Sequence, residues 1–336
     1  MKKKAQQYIV DQFGRTHDYL RISLTERCNL RCFYCMPEEG IELSEKANVL
    51  THEEIIFLAK EFVSLGVNKI RLTGGEPLIK KNIEKIIREL TDLPISLGIT
   101  TNGILLDKYI PLFKECGVND INISLDTLDK EKFELMTRRD YFDRVMSNIY
   151  QCILAGFNVK INAVLIKGVN ESEIVDFIEF TKDIDVSFRF IEFMPFDGNK
   201  WDTSKVVSFD DIFEQVEKKY SKDQIIKLAD KKNDTTKNYR IKGYKGSFGV
   251  ISTVSNPFCD SCNRIRLTAN GKIKNCLFSS SETDLLAPLR KGENVIPHIL
   301  NAIYPKEKAR GGMISDKDFF DKEKNTKNRA MISIGG

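Results

Sequence analysis

Apolar and polar positions change period repeatedly between residues 20 and 215, from short β-rich runs to longer helical ones. The pattern predicts strands at 20–24, 69–73, 95–100, 120–125, 158–166 and 186–193. Between them it predicts helices at 51–65, 81–91, 105–116, 129–156 and 171–182, with another at 208–219. Thr51, with Glu53 and Glu54 just behind it, suits a helix start, because acidic groups favour the positive N-terminal end. Six β/α units in succession imply a parallel sheet with helices outside it. A closed barrel would need eight units. The expected fold is therefore α/β, a partial and open (β/α)6 barrel of the TIM type. A flat doubly wound sheet is the alternative, and both put the chemistry at the carboxyl ends of the strands.

Beyond residue 215 the pattern changes. Residues 216–247 are rich in Lys, Asp, Asn and Gly and read as a surface connection into a β-hairpin at 239–242 and 248–253. The expected division is a barrel over 1–215 and a β-containing extension over 216–336, with a charged, mobile segment at 316–329. The 336 residues are 41% hydrophobic and 30% charged, a globular composition. With 52 Lys and Arg against 48 Asp and Glu, the excess of +4 does not point to nucleic acid. No apolar run reaches the roughly 18 residues of a membrane span, and the basic N-terminus lacks the apolar core of a signal peptide. The expectation is a cytoplasmic chain without membrane contact, whose 8 cysteines form no disulfide framework. Cys116 and Cys152 fall inside amphipathic helical stretches and read as core residues.

The other six cysteines form two groups. Cys28, Cys32 and Cys35 follow the first predicted strand with C-x3-C-x2-C spacing. Structural zinc takes four ligands, no fourth Cys or His follows nearby, and His17 lies across a strand. Iron–sulfur clusters take thiolates, and three thiolates on four irons leave one iron open. The second group is Cys259, Cys262 and Cys276, again without an obvious fourth ligand, since His298 falls in the wrong spacing class for a zinc knuckle. Gly74, Gly75, Glu76 and Pro77 close the second strand, and adjacent glycines permit close backbone approach. Later strand ends carry Thr100, Thr101 and Asn102, then Ser124 and Asp126, then Lys160 and Asn162, then Arg189, Glu192 and Met194. Lys160 and Asn162 should point inward together. Arg189 is within reach of Glu192 in sequence and is expected to be able to pair with it. Arg264 and Arg266 share a face, and with Arg21, Arg71 and Lys160 they make five cations around one cavity, which calls for a polyanionic ligand.

The first cysteine motif resembles that of the radical S-adenosylmethionine (SAM) superfamily. The resemblance implies that the open iron chelates SAM, whose reductive cleavage gives a 5′-deoxyadenosyl radical. Tyr34 matches the aromatic residue beside the adenine, and the glycine strip matches the one that binds the SAM amino group. C-x2-C-x13-C with Arg264 and Arg266 resembles one branch, the GTP 3′,8-cyclases of molybdenum cofactor biosynthesis. The likeness runs from Phe13, Gly14 and Arg15 to Phe278 and resumes from Met331 to the terminal Gly335 and Gly336. It implies two 4Fe–4S clusters, with SAM facing Tyr34, Gly75, Ser124 and Met194. It implies GTP facing Arg21, Arg71, Thr100, Lys160, Arg264 and Arg266, with the second cluster holding the purine. Arg189, Asn162, Gly335 and Gly336 are further candidates near the substrate. The partners implied are a homodimer mate, an electron donor and a downstream cyclic pyranopterin monophosphate synthase. The rival readings are a peptide-modifying radical SAM enzyme with an auxiliary cluster and a zinc-stabilised nucleic-acid-binding protein.

Overall fold

The computed structural model describes residues 7–37, 39–313, 315, 318–319, 321 and 328–335. Most of the segment expected to be mobile, and Gly336, lie outside the described residues. In chain order the main elements are β1 (Tyr19–Ser23), α1 (His52–Ser64), β2 (Lys69–Thr73), α2 (Ile83–Thr91), β3 (Ser96–Thr101), α3 (Leu106–Glu115) and β4 (Asp120–Ser124). There follow α4 (Lys130–Thr137), α5 (Phe142–Leu154), β5 (Asn158–Leu165), α6 (Ile174–Phe180), β6 (Ser187–Glu192) and α7 (Phe209–Lys219). The remainder comprises β7 (Ile225–Lys227), β8 (Lys237–Ile241), β9 (Ser247–Ile251), β10 (Arg264–Leu267), β11 (Lys272–Lys274), β12 (Thr283–Asp284), α8 (Leu286–Arg290), α9 (Ile296–Ile303) and α10 (Met331–Ile334).

Strands β1 to β6 lie side by side in sequence order, all parallel. A doubly wound sheet reverses its order at a switch point, and this one does not. Right-handed crossovers without reversal place every helix on the same side, so the strands curve into a barrel wall. The C-terminal strands extend both edges of this wall. β9 runs parallel to β6, and β10 runs parallel to β1. β7 and β8 continue one edge antiparallel, and β11 and β12 the other. The order is β12-β11-β10-β1-β2-β3-β4-β5-β6-β9-β8-β7, so the barrel stays open.

The two faces of the wall differ as the period-2 pattern requires. Leu20, Ile22, Ile70, Leu72, Ile121, Ile123, Phe188 and Phe190 are buried in a single core beneath the helices. Cys152 is fully buried in that core and Cys116 packs against it. Their neighbours along each strand are polar and face the concave side. Thr51 and Glu54 form a capping box at the start of α1.

The single helix expected over 129–156 is two. Arg138 adopts a left-handed conformation (φ 56°) that ends α4, and α5 starts only at Phe142. The charged stretch Arg138, Arg139 and Asp140 offers no apolar position to carry a helix through. The hairpin strands also begin and end slightly earlier than expected, with Gly243 (φ 88°) in the turn between them.

Candidate active site

The concave face encloses a cavity of about 1310 Å³. Drug-sized pockets run to about 1,000 Å³, so there is room here for more than one ligand. Both cysteine groups open into it: Cys28, Cys32 and Cys35 on one side, Cys259, Cys262 and Cys276 on the other.

The first group sits on the loop after β1, and the end of β2 holds that loop in place. Gly75 N–H donates to the Thr25 carbonyl (2.7 Å), and Glu76 N–H donates to the Arg27 carbonyl (2.8 Å). A Cβ on Gly75 would stand 2.2 Å from the Arg27 oxygen. The glycine strip is therefore required by the cysteine loop itself, although Gly75 also lines the cavity. The buried Glu76 carboxylate accepts from Leu78 N–H (3.0 Å), the Thr101 hydroxyl (2.8 Å) and Asn102 N–H (2.7 Å), joining β2 to β3. Burial nevertheless pushes Glu76 up to about 7. Asn102 in turn reaches the Cys28 sulfur (3.7 Å), which also accepts from Leu30 N–H (3.4 Å). Tyr34 donates to Asp126 (2.6 Å), whose other oxygen accepts from Val164 N–H (2.8 Å). This fixes the aromatic ring between the cysteines against the ends of β4 and β5. Burial pushes Asp126 up to about 6.

These residues fit an iron–sulfur cluster. Burial pushes the Cys28 thiol up to about 11 and Cys35 up to about 12, so each would stay protonated without a metal to bind. Among the described residues no three His, Cys, Asp or Glu side chains converge on a single metal ion. Thiolates on a polynuclear cluster bind different irons and stand farther apart. His298 pairs with Glu293 (3.6 Å) on the surface, and His17 with Asp11 (3.0 Å), so neither completes a zinc site.

The second group is held by residues remote in sequence. Arg15 donates to the carbonyls of Cys259 (2.8 Å), Glu307 (2.8 Å) and Lys308 (2.7 Å). Arg310 N–H donates to the Cys259 sulfur and the Lys306 ammonium to the Cys262 sulfur, both at 3.4 Å. Burial works to raise the Cys262 thiol, but Lys306 and Arg264 bring it below the usual range. The Glu192 carboxylate accepts from Val254 N–H (2.7 Å), Ser255 N–H (3.1 Å) and the Ser255 hydroxyl, fastening the approach to this group onto β6. The expected pairing of Arg189 with Glu192 is thereby corrected. Three residues apart on a strand, the two point to opposite faces: Arg189 into the cavity, Glu192 away from it.

Between the cysteine groups lies a row of cations. Sheet register aligns Lys274 with Arg266, Arg266 with Arg21, and Arg21 with Arg71 across four neighbouring strands. Like charges side by side are destabilising unless an anion sits among them. Burial, with Arg71 and Arg264 nearby, lowers Arg21 to about 10, and burial with Arg21 holds Arg266 well below its usual range. Arg71 donates to the Tyr19 hydroxyl (2.9 Å) and the Ile99 carbonyl (2.7 Å), so it is fixed in direction. Lys160 reaches Asp120 (3.3 Å). Several polar atoms facing the cavity are buried without a protein partner: Arg264 Nη1, Arg189 Nε, Thr100 Oγ1 and Asn162 Oδ1. Buried polar groups of this kind are ordinarily satisfied by protein, ordered water or ligand, so the cavity offers them to a polar occupant.

The cavity wall also includes Tyr34, Ser124, Met194, Arg21, Thr100, Lys160, Arg264 and Arg266. The tail arrives here as well, with Arg266 donating to the Gly335 carbonyl and Gly335 seated between Ser23 and Thr73. Lys306, Arg15 and Lys274 are not among the sequence-derived candidates. Each is one cation among 52; Arg15 appears in the sequence only as part of the start of the likeness, and nothing local gives any of the three a role at the site.

Two family profiles match the chain: Radical SAM superfamily over residues 22–181, and Molybdenum Cofactor Synthesis C over 186–311. The chain is 49% identical to "GTP 3′,8-cyclase, mitochondrial" of Arabidopsis thaliana, over 98% of this chain and 83% of that protein. It is 41% identical to "GTP 3′,8-cyclase" of Listeria welshimeri, over 98% of this chain and all of that protein. Other relatives are longer: the chain spans about half of "Molybdenum cofactor biosynthesis protein 1" of Dictyostelium discoideum (47% identity, 52% of its length). Among solved structures, Streptococcus suis SuiB bound to S-adenosylmethionine shares the fold (TM-score 0.60, 18% identity, 89% of this chain and 68% of that one). No helix among the described residues is long and apolar enough to cross a membrane.

Proposed function

The chain belongs to the GTP 3′,8-cyclase family of the radical SAM superfamily, and on that premise we propose that it converts GTP to 3′,8-cyclo-7,8-dihydro-GTP for molybdenum cofactor biosynthesis. Superfamily membership brings one 4Fe–4S cluster and SAM. The finer reading adds a second 4Fe–4S cluster on Cys259, Cys262 and Cys276. The observation that carries it is one cavity with a cysteine triplet at each side and the row Lys274, Arg266, Arg21 and Arg71 between them. When bound, the first cluster and SAM supply the one-electron chemistry that opens the reaction.

The chain's own residues bind and orient. Tyr34, Gly75, Ser124 and Met194 form the SAM side of the cavity. Arg21, Arg71, Thr100, Lys160, Arg264 and Arg266 form the GTP side, with Arg189 and Asn162 flanking it. Guanidinium groups grip phosphate oxygens in a bidentate manner, and clustering them on one wall fixes the triphosphate end so that the nucleoside end points toward the cysteines. Arg71 arrives already oriented by Tyr19 and Ile99, which spares ordering entropy on binding. The tail, held at Gly335 by Arg266, narrows access for water. The same reading includes a cytoplasmic homodimer, an external one-electron donor and a cyclic pyranopterin monophosphate synthase that takes the product.

Anaerobic incubation with GTP, SAM and a reductant tests the function. We expect 5′-deoxyadenosine and the cyclised nucleotide together. 5′-Deoxyadenosine that forms only with a peptide substrate would favour the peptide-modifying reading. A narrower prediction concerns Arg264, which lies over the rings of Tyr19 (5.8 Å) and Phe258 (5.5 Å) with Nη1 unmatched. Arg264→Ala should weaken GTP binding about 10- to 100-fold, the worth of one charge-assisted hydrogen bond. SAM binding should stay unchanged. Equilibrium dialysis with each ligand reads both, and a parallel loss of SAM affinity would contradict the assignment.

A further inference from the structure

We infer that Lys306 is a positioning residue for the second cysteine group, and that its charge-assisted hydrogen bond to the Cys262 sulfur raises the reduction potential of the cluster there. The inference rests on the two-cluster reading above. Lys306 is 2% exposed. Its ammonium donates to the Cys262 sulfur (3.4 Å) and the Arg264 carbonyl (3.0 Å), and no carboxylate among the described residues lies within ion-pair distance of it. A buried ammonium needs a counter-charge, and of its two hydrogen-bond partners among the described residues the Cys262 sulfur is the one able to carry it. Lys306 is also held rigidly. It follows the end of α9, its own carbonyl accepts from Gln12 (3.3 Å), and Arg15 ties residues 307 and 308 to the Cys259 carbonyl.

Among the described residues no cation donates to a sulfur of the first group. Cys28 receives only neutral donors, Leu30 N–H and the Asn102 amide. Arg31 nearby donates to the carbonyls of Cys28 (2.5 Å) and Leu30 (2.8 Å) instead. Asp126 and Glu76 add carboxylates on that side. Hydrogen bonds to sulfur and positive charge both favour the reduced cluster, which carries the greater negative charge. Lys306 therefore sets the two clusters apart, leaving the second easier to reduce than it would otherwise be.

The test is a redox titration of the reconstituted full chain, followed by electron paramagnetic resonance. It is repeated in a chain with Cys28, Cys32 and Cys35 changed to Ala, so that the second cluster is read alone. Lys306→Met should lower the reduced-to-oxidised ratio at fixed potential by about tenfold, a fall of about 59 mV for a one-electron couple. Lys306→Arg should stay near the original value. An unchanged potential in a fully loaded Lys306→Met chain would overturn the inference. Loss of the second cluster from Lys306→Met but not Lys306→Arg would support it, and loss from both would mean that packing rather than charge matters, overturning it. Failure of the two-cluster reading looks different: the unsubstituted chain would then take up only about four iron.

Discussion

Cys276→Ala is expected to leave reductive SAM cleavage intact while cyclisation of GTP falls by about 100-fold or more. Cys276 lies just beyond β11, two residues after Lys274, which stands in register with Arg266. Its loss strips one thiolate from the second group and nothing from the first, whose loop is fastened independently to the end of β2. Iron per chain should drop from about eight toward about four, or the second cluster should persist in an altered form. The cation row is untouched, so on the proposed assignment the triphosphate should still bind while the purine should no longer be held where the reaction needs it. Quantifying 5′-deoxyadenosine and cyclised nucleotide in the same reaction separates the two effects. Normal cyclisation by this variant would remove the second group from the mechanism.

The parts of this site that were legible beforehand are those encoded at short range. Cys28, Cys32 and Cys35 fall within eight residues, and strand periodicity puts Lys160 with Asn162 on one face and Arg264 with Arg266 on one face. Sequence-order pairing of β1 to β6 follows from six repeated β/α units, since consecutive units pack side by side. What could not be read is long-range partnering. Arg189 and Glu192 look like a natural pair in the sequence, yet Glu192 belongs to the backbone of residues 254 and 255. Lys306 stands 44 positions from the sulfur it meets, and Arg15 stands 244 from the carbonyl it holds. The break between α4 and α5 was hidden for another reason. The stop is made by the left-handed Arg138 within the charged stretch Arg138, Arg139 and Asp140, which holds no Gly or Pro to mark it in the sequence.

Neither edge of the barrel wall is closed by its own strands. β9 and β10 come from the C-terminal part, one on each side, and β10 brings Arg264 and Arg266 into line with the first strand. The second cysteine group thus reaches the cavity because the strand that carries it is part of the same sheet as the first. The chain does not need a separate domain to swing into place. Position is set by hydrogen bonds along β10, which are cooperative with the fold itself.

Gly75→Ala is expected to empty the first cysteine group while the fold survives. The new methyl carbon would lie 2.2 Å from the Arg27 oxygen, 2.6 Å from the Arg27 carbon and 3.1 Å from the Cys28 nitrogen, all of them backbone atoms without a side-chain rotation to relieve the clash. The Arg27 oxygen is also the acceptor for Glu76 N–H (2.8 Å), so the loop cannot retreat without breaking that bond. Overpacking of this kind costs about 1–3 kcal/mol. The strain falls on the loop rather than on the core beneath α1 and α2. The Cys28 sulfur should therefore move off the position at which Leu30 and Asn102 meet it. Iron should fall by about four per chain, SAM cleavage should be lost, and the melting temperature should drop by only a few degrees. GTP binding, proposed to rest on the arginines of β1, β2 and β10, should hold within about threefold. A Gly75→Ala chain that loads both clusters and cleaves SAM at the original rate would show that the loop tolerates the methyl group, and that the double glycine serves some purpose other than seating the cysteines.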